Sequence, residues 1–166
     1  MARDDVVIEV DSVVTRFGTQ AVHEGVSFTV RRGTLVALIG GSGTGKSVLL
    51  REIIGLQRPT EGRIHLLGTD MWSSPPDALE AVRRRFGMMF QDGALFSSLT
   101  VAQNVAVPLI EHASVPPDLL APLIRLRLAQ AGLGPEVAGK MPSELSGGMR
   151  QRVAIARALA LEPEVL

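Results

Sequence analysis

The stretch Leu35-Val-Ala-Leu-Ile-Gly-Gly-Ser-Gly-Thr-Gly-Lys-Ser-Val-Leu-Leu50 decides the fold. Leu35 to Ile39 has the length and composition of a buried strand. Gly40, Gly41, Ser42, Gly43, Thr44 and Gly45 form a glycine-rich loop, and Lys46, Ser47 and Val48 open a helix. This is G-x-x-x-x-G-K-[ST] in a strand–loop–helix setting. Glycine lets successive backbone N–H groups converge on one point, because no Cβ blocks the approach and positive φ is cheap. The helix start adds unpaired donors and partial positive charge, so a polyphosphate fits there. Lys46 is then placed to reach the β- and γ-phosphates, and the Ser47 hydroxyl to bind Mg²⁺.

The composition sets bounds on what surrounds this loop. A chain of 166 residues, 46% apolar and 20% charged, holds a real core and is not of disordered composition. The net charge of zero gives no bulk affinity for nucleic acid. Lys46 and Lys140 are the only lysines, and one of them sits in the loop. With no cysteine, disulfides and thiolate metal sites are excluded. His23, His65 and His112 show no ligand spacing and read as surface or partly buried structural residues. The first residues lack a secretory signal pattern, and no apolar run reaches the roughly 18–20 residues of a membrane span. A soluble, cytoplasmic chain is the expectation.

Val6–Val10 and Val26–Val30 read as strands joined through a turn at Arg16–Thr19, a small antiparallel β-region feeding the Leu35 strand. Gly55–Gly62 is a connection and Arg63–Leu67 another strand. Asp77 is a candidate cap for a helix running to Arg85, and Phe86–Phe90 a second buried strand. Trp72, in a loop, reads as a packing residue. Beyond Asp92 the chain turns helical. Thr100-Val-Ala-Gln103 is a capping box whose helix Pro108 should end or kink. Pro116 and Pro117 open a further helix with Leu119, Leu120, Leu123, Ile124, Leu126 and Leu128 on its apolar face. After a loop from Met141 to Gly148, Met149–Leu161 is an Ala- and Arg-rich helix, and Glu162–Leu166 enters a further strand.

Leu145-Ser-Gly-Gly-Met-Arg-Gln-Arg152 is the other informative stretch. Ser146 caps a helix there, and Gly147 and Gly148 leave its first N–H groups open, a second anion-binding device. Taken alone, the pattern is weak and reads first as simple structural capping.

Together and in this order, the phosphate loop, Gln91 at a strand end, and Leu145–Arg152 followed by Val-Ala-Ile-Ala-Arg-Ala-Leu resemble the nucleotide-binding domain of ATP-binding-cassette (ABC) transporters. The resemblance covers the whole chain. It implies an α/β P-loop NTPase fold with a RecA-like core, an N-terminal antiparallel β-region and a helical subdomain. The division expected is 1–91 for the β-region and core, 92–145 for the helical subdomain, and 146–166 for the second helix and the next core strand. It also implies a head-to-tail homodimer holding two ATP molecules. Each would lie between the phosphate loop of one chain and Ser146, Gly147 and Gly148 of the other. Phe17 matches the aromatic position that stacks on adenine, although a packed turn residue is the alternative. Gln91 matches a glutamine that binds Mg²⁺ or the attacking water, and with Lys46 completes the implied catalytic set.

Phe90-Gln-Asp-Gly-Ala-Leu-Phe-Ser-Ser-Leu-Thr-Val101 and Asn104-Val-Ala-Val-Pro-Leu-Ile-Glu-His112 look like the ATPase subunit of Mla/Mce-type lipid transport systems. That implies an integral-membrane permease contacting the Gln91–His112 region, a lipid-binding Mce-type subunit, and a place on the cytoplasmic face of the bacterial inner membrane. Family members continue into an Asp-Glu pair and a later histidine, none of which is found here. The chain therefore reads as truncated before its catalytic carboxylates. Glu162 and Glu164 precede the strand and do not replace them, so hydrolysis by these residues alone is expected to be negligible. A loss of the general base by itself typically costs about 10²–10⁴ in rate. Two other readings stay open: a non-catalytic module that pairs with a complete partner, and a P-loop kinase or GTPase. No guanine-reading Asn/Lys-x-x-Asp element supports the last.

Overall fold

The computed structural model describes residues 5–90, 93–113 and 115–166. The chain divides into two compact units, residues 1–82 and 83–166.

The first unit is built on a four-stranded antiparallel sheet in the order β2-β1-β3-β4. Its strands are β1 (Val6–Phe17), β2 (Gln20–Arg31), β3 (Glu61–Leu66) and β4 (Thr69–Asp70). β1 and β2 form a long hairpin, in which Gly18 at φ 59 supplies the left-handed conformation that primed turns need. Phe17 thus ends β1, opposite Gln20, rather than lying in the turn.

Val7, Val10, Val13 and Thr15 are all buried, a spacing that strict alternation does not give. Irregular pairing around Val6–Ile8 and Val10–Val13 re-phases β1 and returns these side chains to one face. Gly62 makes room for the second irregularity. A Cβ there would lie 2.5 Å from the Ser12 carbonyl oxygen and 2.6 Å from that of Asp11. Helix α1 (Lys46–Ile53) packs on β3, and Leu49, Ile53, Ile64, Leu66, Met71 and Val82 complete the core. Helix α2 (Pro76–Arg83) carries Asp77 within its first turn, where a carboxylate favours the helix dipole, and not at its cap.

One expectation fails in this unit. Leu35–Ile39 is not a buried strand: no described strand pairs with it, and Leu35 and Ile39 are 101% and 93% exposed. A parallel core strand gains its burial from neighbours on both edges and layers on both faces. Among the described residues no strand pairs with this segment, and only Leu38 in it is half-buried.

The second unit packs α3 (Val101–His112), α4 (Pro117–Gln130) and α5 (Gly147–Ala158) around Val101, Val105, Leu109, Leu128, Val153 and Ala156. Thr100 and Gln103 form the expected capping box, worth about 1 kcal/mol. Pro108 does not end α3, which continues to His112. The missing N–H leaves the Asn104 carbonyl without its helical donor, a modest loss that flanking turns and packing override. Asn104 is fully buried; its side chain accepts from the Phe96 N–H and donates to the carbonyls of Phe96, Leu99 and Thr100. α4 buries Ile124 and Leu128, while Leu119 and Leu126 stay exposed, so the apolar face is narrower than expected.

Short 3₁₀ turns at Pro135–Val137 and Pro142–Glu144 lead into α5. Phe86–Phe90 makes a single parallel bridge, Phe86 to Val165, rather than a full strand. Glu162 and Glu164 are held by Arg127 at 2.7 Å and Arg85 at 2.6 Å.

Candidate nucleotide-binding site

Gly45 is the cap of α1 and sits in the left-handed region at φ 88, with Gly43 at φ 82. Gly40 to Thr44 are exposed, as is Ser47, while Gly45, Lys46 and Val48 are half-buried. Among the described residues, no backbone N–H from Ser42 through Lys46 donates to a backbone carbonyl. These are the orphan donors that an anion at a helix start satisfies. The Lys46 ammonium folds over the loop, donating to the Gly40 carbonyl at 2.8 Å and the Gly41 carbonyl at 2.5 Å. Thr44 Oγ1 donates to the Gly41 carbonyl at 2.9 Å and braces the turn.

Unclaimed backbone donors, the Lys46 ammonium and open space over Gly43 fit a polyphosphate. The Ser47 hydroxyl is the kind of neutral oxygen that suits Mg²⁺, whose remaining positions phosphate and water fill. Among the described residues, no group of three or more His, Asp or Glu is placed to hold a metal ion. Gln91, the other expected Mg²⁺ contact, lies outside the described residues.

Beneath the loop lies a polar cluster that the sequence reading did not single out. Glu52, on the last turn of α1, is fully buried, and His23 and Thr15 are 6% and 2% exposed. Thr15 Oγ1 donates to Glu52 Oε1 at 2.7 Å and lies 2.9 Å from His23 Nδ1. That Nδ1 is 3.5 Å from Glu52 Oε2, which has no hydrogen-bond partner among the described residues. The available signal was positional: Glu52 falls at i+3 from Leu49 and beside Ile53, inside the apolar stripe of α1.

Burial drives the Glu52 carboxyl above its ordinary range, against the hydrogen bond from Thr15 and the contribution of His23. The folded state therefore binds this proton more tightly than the unfolded chain does. The associated stability is complete below the ordinary carboxylate range and drains away as pH rises through it toward the raised value. Glu52→Gln removes that ionisation. Its stability relative to the wild type is expected to increase as pH is raised from about 4 to 7. Urea melts across that interval check this, and a pH-independent difference contradicts the assignment.

At the second helix start, Ser146 Oγ accepts from the Met149 N–H at 3.3 Å. Ser146, Gly147 and Gly148 are all exposed. A Cβ added to Gly148 meets nothing within 4 Å, and one on Gly147 meets only Arg150 Nη2 at 4.0 Å. Phe17 is 52% exposed at the end of β1. Phe86, Phe90, Phe96, Val107, Pro108 and His112 line a groove of about 300 Å³. Arg157 fixes one wall of it, donating to the Gly93 and Ala94 carbonyls at 2.8 and 2.9 Å and standing over the Phe96 ring at 5.8 Å.

The loop, its lysine and the capped α1 define a P-loop nucleotide-binding protein. The family model described as "ABC transporter" matches residues 23–166, and the chain belongs to that family. The chain is 42% identical over 161 residues to the probable ribonucleotide transport ATP-binding protein mkl of Mycobacterium tuberculosis, spanning 97% of this chain and 45% of that protein. It is 45% identical over 160 residues to the methionine import ATP-binding protein MetN of Brucella abortus, spanning 96% of this chain and 43% of that protein. The chain thus spans under half the length of these curated relatives.

Among solved structures, the dimeric ATP-binding cassette MJ0796, in a post-hydrolysis state bound to ADP and Pi, superposes with a TM-score of 0.83. It is 32% identical, over 94% of this chain and 70% of that one. The cbiO1 protein of Clostridium perfringens, part of the ABC transporter complex cbiONQ, gives 0.81 at 28% identity over 96% and 63%. The fold is that of the ABC ATPases. No helix among the described residues is long and apolar enough to cross a membrane.

Proposed function

We propose that this chain is the ATP-binding part of an ABC transporter ATPase that powers lipid movement across a bacterial envelope. The observation that carries the ATP reading is the loop of unclaimed backbone donors closed over by Lys46. Gly40–Gly45 and the α1 start receive the phosphates, Lys46 neutralises the β- and γ-phosphate charge, and Phe17 offers its exposed face to adenine. Ser47 and Gln91 hold Mg²⁺, which when bound draws charge off the phosphoryl oxygens. Ser146, Gly147 and Gly148 cap the triphosphate held by a second copy, so the working unit is a homodimer.

In this reading the groove around Phe90, Phe96 and His112 seats a permease segment, and Arg157 ties that groove to α5. A Mce-type lipid-binding subunit completes the assembly on the cytoplasmic face of the membrane. Hydrolysis needs a carboxylate aimed at the attacking water. Glu162 and Glu164 are engaged by Arg127 and Arg85, so neither is poised to activate that water.

The lipid assignment rests on the sequence of Phe90–His112. The MetN likeness favours a second reading, an importer of a small polar solute. Reconstitution of the ATPase with its co-purifying permease in proteoliposomes separates them. ATP-dependent transfer of a labelled phospholipid supports the first reading, and ATP-dependent methionine uptake with no lipid transfer overturns it.

A further inference from the structure

Glu52 is an unexpected occupant of its position. It sits on the last turn of a helix, where a carboxylate opposes the macrodipole, and it is fully removed from water. A leucine in that place would extend the stripe of Leu49 and Ile53 at no such cost. Its partners explain what the arrangement achieves. The Thr15 hydroxyl donates to Glu52, which turns its remaining lone pairs toward His23 Nδ1 at 2.9 Å. Glu52 Oε2 approaches the same nitrogen from a second direction at 3.5 Å. The Thr15 oxygen thus holds the ring by one nitrogen, and Glu52 holds the Thr15 hydroxyl in the orientation that does so.

The opposite edge of that ring meets the phosphate loop. A Cβ placed on Gly45 would lie 2.5 Å from His23 Nε2, 3.2 Å from His23 Cδ2 and 2.5 Å from Val22 Cγ1. Gly45 is the left-handed cap on which the loop turns into α1. The side chain pressed against it therefore fixes where the loop donors and Lys46 point.

We propose that His23, its ring clamped by Thr15 and Glu52, is a positioning residue that holds Gly45 and so presets the phosphate loop for nucleotide. The inference rests on the ATP-binding reading above. All three side chains are buried, so they act through the backbone at Gly45. Thr15 is the removable half of the clamp, because Thr15→Val keeps the shape and withdraws the hydroxyl.

The test is titration of the 166-residue chain with a fluorescent N-methylanthraniloyl ATP analogue and Mg²⁺, alongside thermal melts. The proteins are the wild type, Lys46→Ala, His23→Ala and Thr15→Val. His23→Ala is expected to weaken binding about tenfold, as a loss of preorganisation does, and Thr15→Val about threefold. Imidazole at tens of millimolar is expected to restore part of the His23→Ala affinity by refilling the space left by the ring. Should His23→Ala fail to fold, the Thr15→Val affinity decides the matter.

Affinities of His23→Ala and Thr15→Val within twofold of wild type overturn the proposal, whatever happens to the melting temperature. So does a weak His23→Ala combined with a Thr15→Val of wild-type strength, because core volume then accounts for the effect. Wild-type binding that Lys46→Ala does not weaken, or no wild-type binding at all, sinks the ATP reading and this inference together. Wild-type binding lost in Lys46→Ala but untouched at His23 and Thr15 sinks this inference alone.

Discussion

Lys46→Ala is expected to raise the dissociation constant for MgATP at least a hundredfold. The Lys46 ammonium reaches across the loop to the Gly40 and Gly41 carbonyls, at 2.8 and 2.5 Å, and is the only lysine of its unit. A bound triphosphate replaces those neutral acceptors with charged ones. Each charge-assisted hydrogen bond contributes about 1.5–3 kcal/mol, and two of them exceed the roughly 2.8 kcal/mol that a hundredfold change requires. Isothermal titration with ATP measures the effect. The fold is expected to survive, because both carbonyls are exposed and water replaces the ammonium at little cost. The melting temperature should therefore move by no more than a few degrees. Lys46→Arg is not expected to rescue binding, since a planar guanidinium fork does not occupy the place of a compact point charge. Wild-type affinity in Lys46→Ala would reduce the loop to an ordinary glycine turn.

The features legible in the sequence are those fixed by neighbours along the chain. The phosphate loop, the Thr100 capping box and the Ser146 cap each close within a few residues, and each lies where its local pattern placed it. Features that depend on distant partners were harder to read. Leu35–Ile39 has a strand's composition, but a strand needs a ladder, and none forms on it among the described residues. The burial of Val7, Val10, Val13 and Thr15 depends on irregular pairing in β1 that no alternation rule reveals, with Gly62 alone marking the place. His23 looked like an ordinary histidine because its partners lie 8 and 29 residues further off, at Thr15 and Glu52. Pro108 reads as a helix breaker locally, yet α3 runs through it because Val101, Val105 and Leu109 are buried on both sides of it. In the candidate site, the loop proposed to receive phosphate was therefore visible in the sequence, while the cluster packed against it was not.

Gly148→Asp separates what α5 needs from what a second copy needs. Within this chain the substitution is expected to be harmless or stabilising. Gly148 lies in the first turn of α5, has no positive φ, and an added Cβ meets nothing within 4 Å. A helix-favouring carboxylate there also complements the unpaired N–H groups and the dipole, an effect of about 0.3–1 kcal/mol. An unchanged or slightly raised melting temperature is the expected result. If Gly147 and Gly148 are instead kept bare so that the γ-phosphate on another protomer can approach the helix start, a carboxylate meets that phosphate as a like charge. ATP-dependent dimerisation is then expected to disappear, while ATP binding to the monomer persists. Sedimentation velocity with a non-hydrolysable ATP analogue reads the dimer directly. Because these residues contain no cysteine, paired Cys substitutions at Gly41 and Gly147 give an independent crosslink across the interface. Dimers that form equally well with Gly148→Asp would show that the second helix start faces no nucleotide. The glycines of Leu145–Arg152 would then be a helix cap and nothing more.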